Sequence, residues 1–570
     1  MGKYLWKLAD IPENRIRELM SKLNCSRPLA LFFAARGINH SSADMFFQTP
    51  LQGLGDPYAI PGMKESAKRL WDAICSKEKI LIHGDYDTDG VTAAALLYWV
   101  LSENGADVSC FLPDRFDDGY GFTVESLAKA LAESNYKLIV TVDCGITSLE
   151  TIAVAKTKGV DVIVTDHHEP KETLPDAYTV INPKIYQELR DLHILAGVGI
   201  SFKLCHAFIK YGRENLFLDD KFDLKDGLDL VALGTVADIV PLTGENRILV
   251  RNGLKVLSKQ VRPGIRALCE LAGLNAEIKA SDITYCLAPR LNAAGRLGNA
   301  KVAFDLLNTG NIIEAYRFAE QLEDFNHKRQ SKEESIITEA NNYLRNKADL
   351  GECSSILVSG TNWHQGVIGI VASRFAKEFN RPSIVFSING DVSLGSGRSV
   401  ENVNLLDILA ECADLLDRFG GHPMAAGLCL KTAKLEEFNR RFELAVQAYT
   451  GKKLSTPRLD IDGEVDLCEL NNDFFSLLEK LEPFGYCNSQ PLYRINGLQP
   501  FKIASAASYH SRGYLKDRRE NILQFIAFNR NVDTLPAQTL WDVVASPQIN
   551  KFRGESIPQL QILDLCQSEG

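Results

Sequence analysis

Residues Lys79–Gly90 read KILIHGDYDTDG. Ile80–Ile82 is a short apolar run of strand character. His83, Asp85, Asp87 and Asp89 follow it in a polar loop closed by Gly90. The next residues, VTAAALLYWVL, have the composition of a buried helix. Three carboxylates at alternate positions repel one another and hold protons more tightly unless a cation sits among them. A divalent metal is the usual remedy. Taken alone, the loop is also readable as a solvated turn whose aspartates cap the following helix.

Outward from this loop, apolar runs alternate with helical stretches. Strands are predicted at Ile80–Ile82, Asp107–Leu112, Leu138–Val142, Asp161–Thr165 and Tyr178–Ile181, with helices between them. Such alternation specifies a parallel sheet with helices on both faces. Ligands of these sheets bind beyond the carboxyl ends of the strands. Asp143 follows the third run in VTVDCGI, and Asp166, His167 and His168 follow the fourth in VTDHHEP. Three polar clusters are therefore expected on one rim. Asp238 ends the apolar helical segment Leu228–Val236 in LDLVALGTVADIVPL. A lone buried acid needs a positive partner, a metal or an arginine. Carboxylate and imidazole ligands without thiolate favour manganese or magnesium over structural zinc. A pair of such ions activates water and stabilises the leaving oxygen of a phosphodiester. Cys110 and Cys144 are assigned to core packing.

At 570 residues the chain exceeds a single core, and about three or four domains are expected. Its net charge of -10 argues against a surface coated for nonspecific nucleic-acid binding, while leaving room for a local basic groove. The 13 cysteines are scattered without a CxxC pair, which fits a reducing cytosol rather than a disulfide framework or zinc ribbon. MGKYLWKLAD has no signal-peptide pattern, and no window approaches the roughly 18 apolar residues of a membrane span. A cytoplasmic protein that does not engage a membrane is expected.

Glu314–Leu344 reads as one long charged helix without internal Gly or Pro. Strand–helix alternation resumes over about 352–450. There SLGSGRS (393–399) is read as a Gly-rich loop able to cradle phosphate, holding Ser396 and Arg398, and GGHP (420–423) as a glycine turn presenting His422. Trp363 is open between stacking on a base and packing. Upstream, Arg290 and Arg296 lie in a small-residue stretch read as a phosphate-gripping loop. Beyond about 455, short β-rich runs suggest a small barrel. Lys502, His510, Arg512, Lys516, Arg518, Arg519 and Arg530 are interleaved there with Tyr509, Tyr514, Phe525 and Phe528, as single-strand binding requires.

HGDYDTDG, VDCG and DHH, in this order, resemble the DHH phosphoesterase superfamily. LAGVGISFKL (195–204), GTVADIVPL (234–242) and APRLNAAGRL (288–297) are similar to its RecJ subgroup of single-strand-specific 5′→3′ DNA exonucleases. WHQGVIGIVASR (363–374), GSGRS (395–399) and FGGHPMAAG (419–427) are similar to the DHH-associated domain. The resemblance implies an α/β multidomain chain: an N-terminal helical region (1–50), a parallel-sheet DHH catalytic domain (51–312), a long connecting helix (313–350), a smaller α/β DHH-associated domain (351–452) and an oligonucleotide-binding (OB)-like barrel (453–570). It assigns Asp87, Asp89, Asp143, His167 and Asp238 to metal binding. His83 is placed with or beside these ligands, and Asp85 and His168 with the catalytic groups. His168 stays open between general acid, phosphate positioning and a supporting role. Arg115, Ser396, Arg398, His422 and one of Arg290 or Arg296 are implied to bind substrate, the terminal phosphate above all. Two Mn2+ or Mg2+ ions, single-stranded DNA entering a cleft between the two α/β domains, a single-strand-binding protein, a RecQ-type helicase and a monomeric state are implied with it. Alternatives are a DHH phosphodiesterase for short oligonucleotides or cyclic dinucleotides, and a non-catalytic DNA-binding replication scaffold.

Overall fold

Buried on both faces, a parallel strand must be apolar along nearly its whole length. Lys79–Gly84 obeys this, every residue after Lys79 being buried. The computed structural model describes residues 4–115, 118–119, 121–218, 222–274, 277–345, 353–451, 456–506, 510–531, 539–552 and 555–568. In it the strands Asp107–Phe111, Lys79–Gly84, Leu138–Val142, Asp161–Thr165 and Thr179–Ile181 lie side by side in that order, all parallel. The order reverses between Lys79–Gly84 and Leu138–Val142, which pair with His83 opposite Thr141. Doubly wound sheets place their ligands at such a reversal. Leu127 and Ala130 of the helix Val124–Glu133, and Ile152 and Ala155 of Leu149–Thr157, pack on Leu81, Ile139, Val162 and Val164. The helix Thr88–Glu103 packs against the helices Gly197–Glu214 and Leu228–Ala237.

The chain divides into two compact units: residues 1–292, 300–319 and 458–570, and residues 293–299 and 320–457. The first contains the parallel sheet and a C-terminal barrel. Strands Tyr493–Ala506, His510–Lys516, Ile522–Ala527, Glu555–Gln567 and Trp541–Phe552 pair in sequence around the barrel, and Tyr493–Ala506 closes it on Trp541–Phe552. The N-terminal helices Glu13–Leu23 and Arg27–Ala35 share the barrel's core. Phe32 and Phe33 are buried in one cluster with Phe474, Tyr493 and Trp541. The Tyr493 hydroxyl donates to the Pro28 carbonyl at 2.6 Å, and Leu5–Leu8 pairs in parallel with Arg458–Ile461.

The second unit holds a mixed sheet in the order Arg418–His422, Ala425–Lys431, Val392–Arg398, Ser383–Asn389, Ile356–Thr361. One face packs on the helix Gln365–Phe379 and residues 336–344 of the long helix Ile312–Arg345. The other packs on Leu405–Ala410 and Leu435–Thr450.

Three readings of local structure are corrected. Residues 393–398 are not a loop, for Val392–Arg398 is a strand whose residues after exposed Val392 alternate between buried and half-buried. Its glycines satisfy close packing: a Cβ on Gly395 would lie 2.6 Å from the Phe386 ring, and one on Gly397 2.8 Å from Leu405. Gly420, Gly421 and His422 of GGHP likewise lie in an exposed hairpin strand, Arg418–His422, and Pro423 begins the turn that follows. Arg290 and Arg296 sit on the helix Ala288–Leu297, whose alanines and leucines are strong helix formers, rather than in a loop.

Candidate metal centre and substrate-binding residues

Asp87 caps the helix Thr88–Glu103, its Oδ1 accepting the N–H groups of Asp89 at 3.0 Å and Gly90 at 3.1 Å. This fixes the loop and turns Asp85 and Asp89 inward, where both are buried. Asp89 accepts the N–H groups of Gly197 at 2.7 Å and Val198 at 2.8 Å, at the start of Gly197–Glu214. Asp143 follows its strand with φ of 59°, a left-handed conformation uncommon for a residue with a side chain. Asp238 ends the helix Leu228–Ala237. The negative end of a helix dipole disfavours a carboxylate unless a cation offsets it.

These residues converge. Asp85, Asp87 and Asp143 each present a ligand atom within 4.8 Å of the others, as do Asp89, His167 and Asp238, and Asp143, His167 and His168. Asp143 and His167 each belong to two of the three groups, which joins them into one centre. His167 Nε2 lies 3.1 Å from Asp143, 3.7 Å from Asp238 and 3.9 Å from Asp89. Oδ1 of Asp143 is buried without a hydrogen-bond partner.

Burial, reinforced by neighbouring carboxylates, pushes Asp85 and Asp238 up to about 8 and Asp89 to about 7, and drives Asp143 well above the usual carboxylate range. Burial, with the charge of His168 beside it, lowers His167 to about 3, so the imidazole is neutral and able to act as a ligand. Three buried acids crowded with half-buried Asp238, one oxygen without a partner, and a neutral imidazole form a donor set suited to divalent cations that take oxygen and nitrogen ligands.

His83 does not join this set. It is still within its strand, and alternation turns its side chain, like that of Leu81, toward the helix Val124–Glu133. Its Nε2 is 3.1 Å from Ser126 Oγ, and its Nδ1 lies 3.8 Å from Cys144 Sγ. The buried ring stacks on Phe111. His83 therefore supports the loop from behind. His168 places Nδ1 2.7 Å from Asp166.

Arg115 is exposed beyond the strand Asp107–Phe111, with its guanidinium 5.4 Å from the centre of the Tyr86 ring. Arg290 donates to the Cys286 carbonyl at 2.7 Å. In the second unit, Arg296 donates to the Gly366 carbonyl at 3.2 Å. Ser396 and Arg398 share one face of their strand, and Arg398 donates to Ser396 Oγ at 3.1 Å. In the neighbouring strands Gly427 and Gly420 stand in register with Ser396. No atom lies within 4 Å of a Cβ placed on either glycine, so the sheet beside Ser396 is a bare shelf. His422 is exposed and in register with Ala425, which in turn pairs with Arg398. Trp363 is packed, donating to Glu339 at 2.9 Å, which removes it from base stacking. On the barrel, Arg530 pairs with buried Asp564 and is structural. Arg512, Arg518 and Arg519 are exposed, Phe525 is core, and Phe528 is exposed beside His510. Tyr509 lies outside the described residues.

Sequence reasoning placed Asp166 on the rim without a role for it, and missed the two N–H groups that hold Asp89 and Asn292, whose Oδ1 accepts the Thr88 N–H at 2.9 Å. Each lies inside a quoted motif. Their signal was the small residues around them, which permit close approach of backbone.

The parallel sheet and the acid–imidazole rim define a metal-dependent phosphoesterase of the DHH type. The DHH family N-terminal domain model matches residues 79–235, the DHHA1 domain 353–448 and the RecJ OB domain 461–564. A single-stranded-DNA-specific exonuclease RecJ from Salmonella typhimurium is 36% identical over 567 residues, covering 94% of this chain and 95% of the relative. Its Bacillus subtilis counterpart is 33% identical, covering 100% of this chain and 71% of the relative. The crystal structure of RecJ from Thermus thermophilus in complex with Mn2+ matches with a TM-score of 0.83 at 30% identity, over 99% of this chain and 80% of that one. The chain belongs to the RecJ family of single-stranded-DNA-specific exonucleases.

Proposed function

We propose that this chain is a metal-dependent exodeoxyribonuclease that removes mononucleotides from the 5′ end of single-stranded DNA, in recombination and repair. The observation that carries this reading is the convergence of Asp85, Asp87, Asp89, Asp143, His167 and Asp238 on one rim in a chain of this family. These residues would hold Mn2+ or Mg2+, and we assign two ions to the overlapping ligand groups. Bound metal supplies activation of water near neutral pH and positive charge against the leaving oxygen.

The chain's own residues do the rest. Asp89 is fixed by backbone N–H groups and Asp87 by its cap, so the ligands are pre-oriented. His168, cationic through Asp166, positions a phosphate oxygen or protonates the leaving group. Ser396, Arg398 and His422 in the second unit are assigned to substrate binding, the terminal 5′ phosphate above all, and Arg115 and one of Arg290 or Arg296 are each assigned a phosphate contact of their own. Recognition of an end counts from that end and confers polarity. Exposed Arg512, Arg518 and Arg519 attract the strand to the barrel. No helix among the described residues is long and apolar enough to cross a membrane. We place the protein in the cytoplasm as a monomer that acts with a single-strand-binding protein and a RecQ-type helicase.

Single strands labelled at one end or the other, with a duplex control, test this. Immediate release of 5′ label as mononucleotide, slow loss of 3′ label and an intact duplex are expected. Early release of 3′ label, or internal cleavage, would overturn it.

A further inference from the structure

We propose that Gly197 is a positioning residue of the metal centre, orienting Asp89 through its N–H and Asp143 through the side chain it lacks. The inference rests on the metal-centre reading above. Gly197 opens an 18-residue helix with no side-chain cap of its own, because Ala196 stands at the capping position. The unpaired N–H groups of a first turn need acceptors. Asp89 supplies them from another segment, Oδ2 to Gly197 at 2.7 Å and Oδ1 to Val198 at 2.8 Å. Both carboxylate oxygens are thereby fixed, in the favourable field of the helix N-terminus.

The same residue borders Asp143. A Cβ on Gly197 would lie 2.6 Å from Asp143 Oδ1, 2.7 Å from its Cβ and 2.8 Å from its Cγ. Asp143 cannot yield easily, since its backbone is held at φ of 59° and its N–H donates to Thr165. The displaced Oδ1 is the buried, partnerless atom 3.1 Å from His167. Gly197 is not among the glycines with positive φ. Space for Asp143, and not backbone freedom, requires glycine here. Gly199, two residues on, has only the Leu195 side chain near its Cβ position, the closest atom at 3.3 Å.

The test is Mn2+ binding by the full chain, measured calorimetrically, for wild type, Gly197→Ala and Gly199→Ala, with circular dichroism and the metal-free unfolding temperature. Gly197→Ala should weaken Mn2+ binding about 10- to 100-fold, the usual effect of losing a group that orients a ligand. Gly199→Ala should stay within about twofold. If Gly197→Ala also lowers the unfolding temperature, that loss should shrink by at least half in an Asp143→Ala background, where two of the three close atoms are gone. Gly197→Ala binding within about twofold of wild type, or an equal loss in both backgrounds, would overturn the proposal. A wild-type chain that binds no Mn2+ would overturn the metal centre and this inference with it.

Discussion

Asp166 holds His168 from two sides: Oδ1 is 2.7 Å from the imidazole Nδ1 and accepts the His168 backbone N–H at 3.0 Å, while Oδ2 accepts the Ile146 N–H at 2.9 Å. Burial opposes a charged imidazole here, but the bond to Asp166 prevails and raises His168 to about 9. The ring is thus a fixed cation facing the metal rim. Asp166→Asn should lower kcat about 10- to 100-fold with KM little changed, because the ring loses its charge and its orientation rather than substrate contact. Steady-state kinetics on a labelled single strand measure it, and an unaltered kcat would remove His168 from the reaction.

The acids of the rim make the metal-free protein sensitive to pH. Asp85, Asp89, Asp143 and Asp238 all have folded-state values above the 3.8 of a free aspartate. The native state therefore binds more protons than the unfolded chain, and these groups make stability fall as pH rises from about 4 to about 8. Asp143→Asn removes one of them. Without metal it should be more stable than wild type at pH 8, by about 1–3 kcal/mol, and the gap should narrow toward pH 5. Calorimetry in chelator reads this. An equal or lower unfolding temperature for the variant at pH 8 contradicts the electrostatic account.

Ser396 and Arg398 stand at the edge of a bare glycine shelf, where we propose that they bind the terminal phosphate. A charged hydrogen bond of this kind contributes about 1.5–3 kcal/mol. Arg398→Ala should cost roughly 10- to 100-fold in kcat/KM on strands with a 5′ phosphate and much less on strands with a 5′ hydroxyl. Equal losses on both would place Arg398 elsewhere along the strand.

On the barrel, exposed and paired arginines should behave differently. Arg512→Ala and Arg518→Ala should each weaken strand binding regardless of sequence and reduce the slope of log affinity against log salt by up to about one. Arg530→Ala should leave the slope intact and lower the unfolding temperature, since it removes the cation that pairs with buried Asp564. A salt slope altered by Arg530→Ala and not by the others would reverse the assignment.

The rim was legible in the sequence because the central parallel strands are apolar runs and the site acids follow their ends, apart from Asp238, which ends the apolar helix Leu228–Ala237. Asp143 and His167 needed only that rule, and Asp87 and Asp89 the loop that interrupts it. The strand Val392–Arg398 was not legible, since its glycines answer to Phe386 and Leu405, side chains no local pattern reveals. His83 carries a ligand's chemistry and is turned away by strand alternation toward Ser126, a partner 43 residues distant. Nor could periodicity show that Phe32 and Trp541 share a core, or that Arg36 meets Asp462 at 2.8 Å. Contacts across more than four hundred residues leave no local trace.

The central claim is that the acids of KILIHGDYDTDG hold the metal that cuts DNA. Asp87→Ala tests it most directly, by digestion of a 5′-phosphorylated single strand with Mn2+ alongside binding of that strand in chelator. The account predicts cleavage reduced at least about a thousandfold with strand affinity within a few-fold of wild type, because Asp87 meets metal and helix N–H groups and not the strand. Cleavage surviving in Asp87→Ala, or persisting in wild type after chelation, would contradict it.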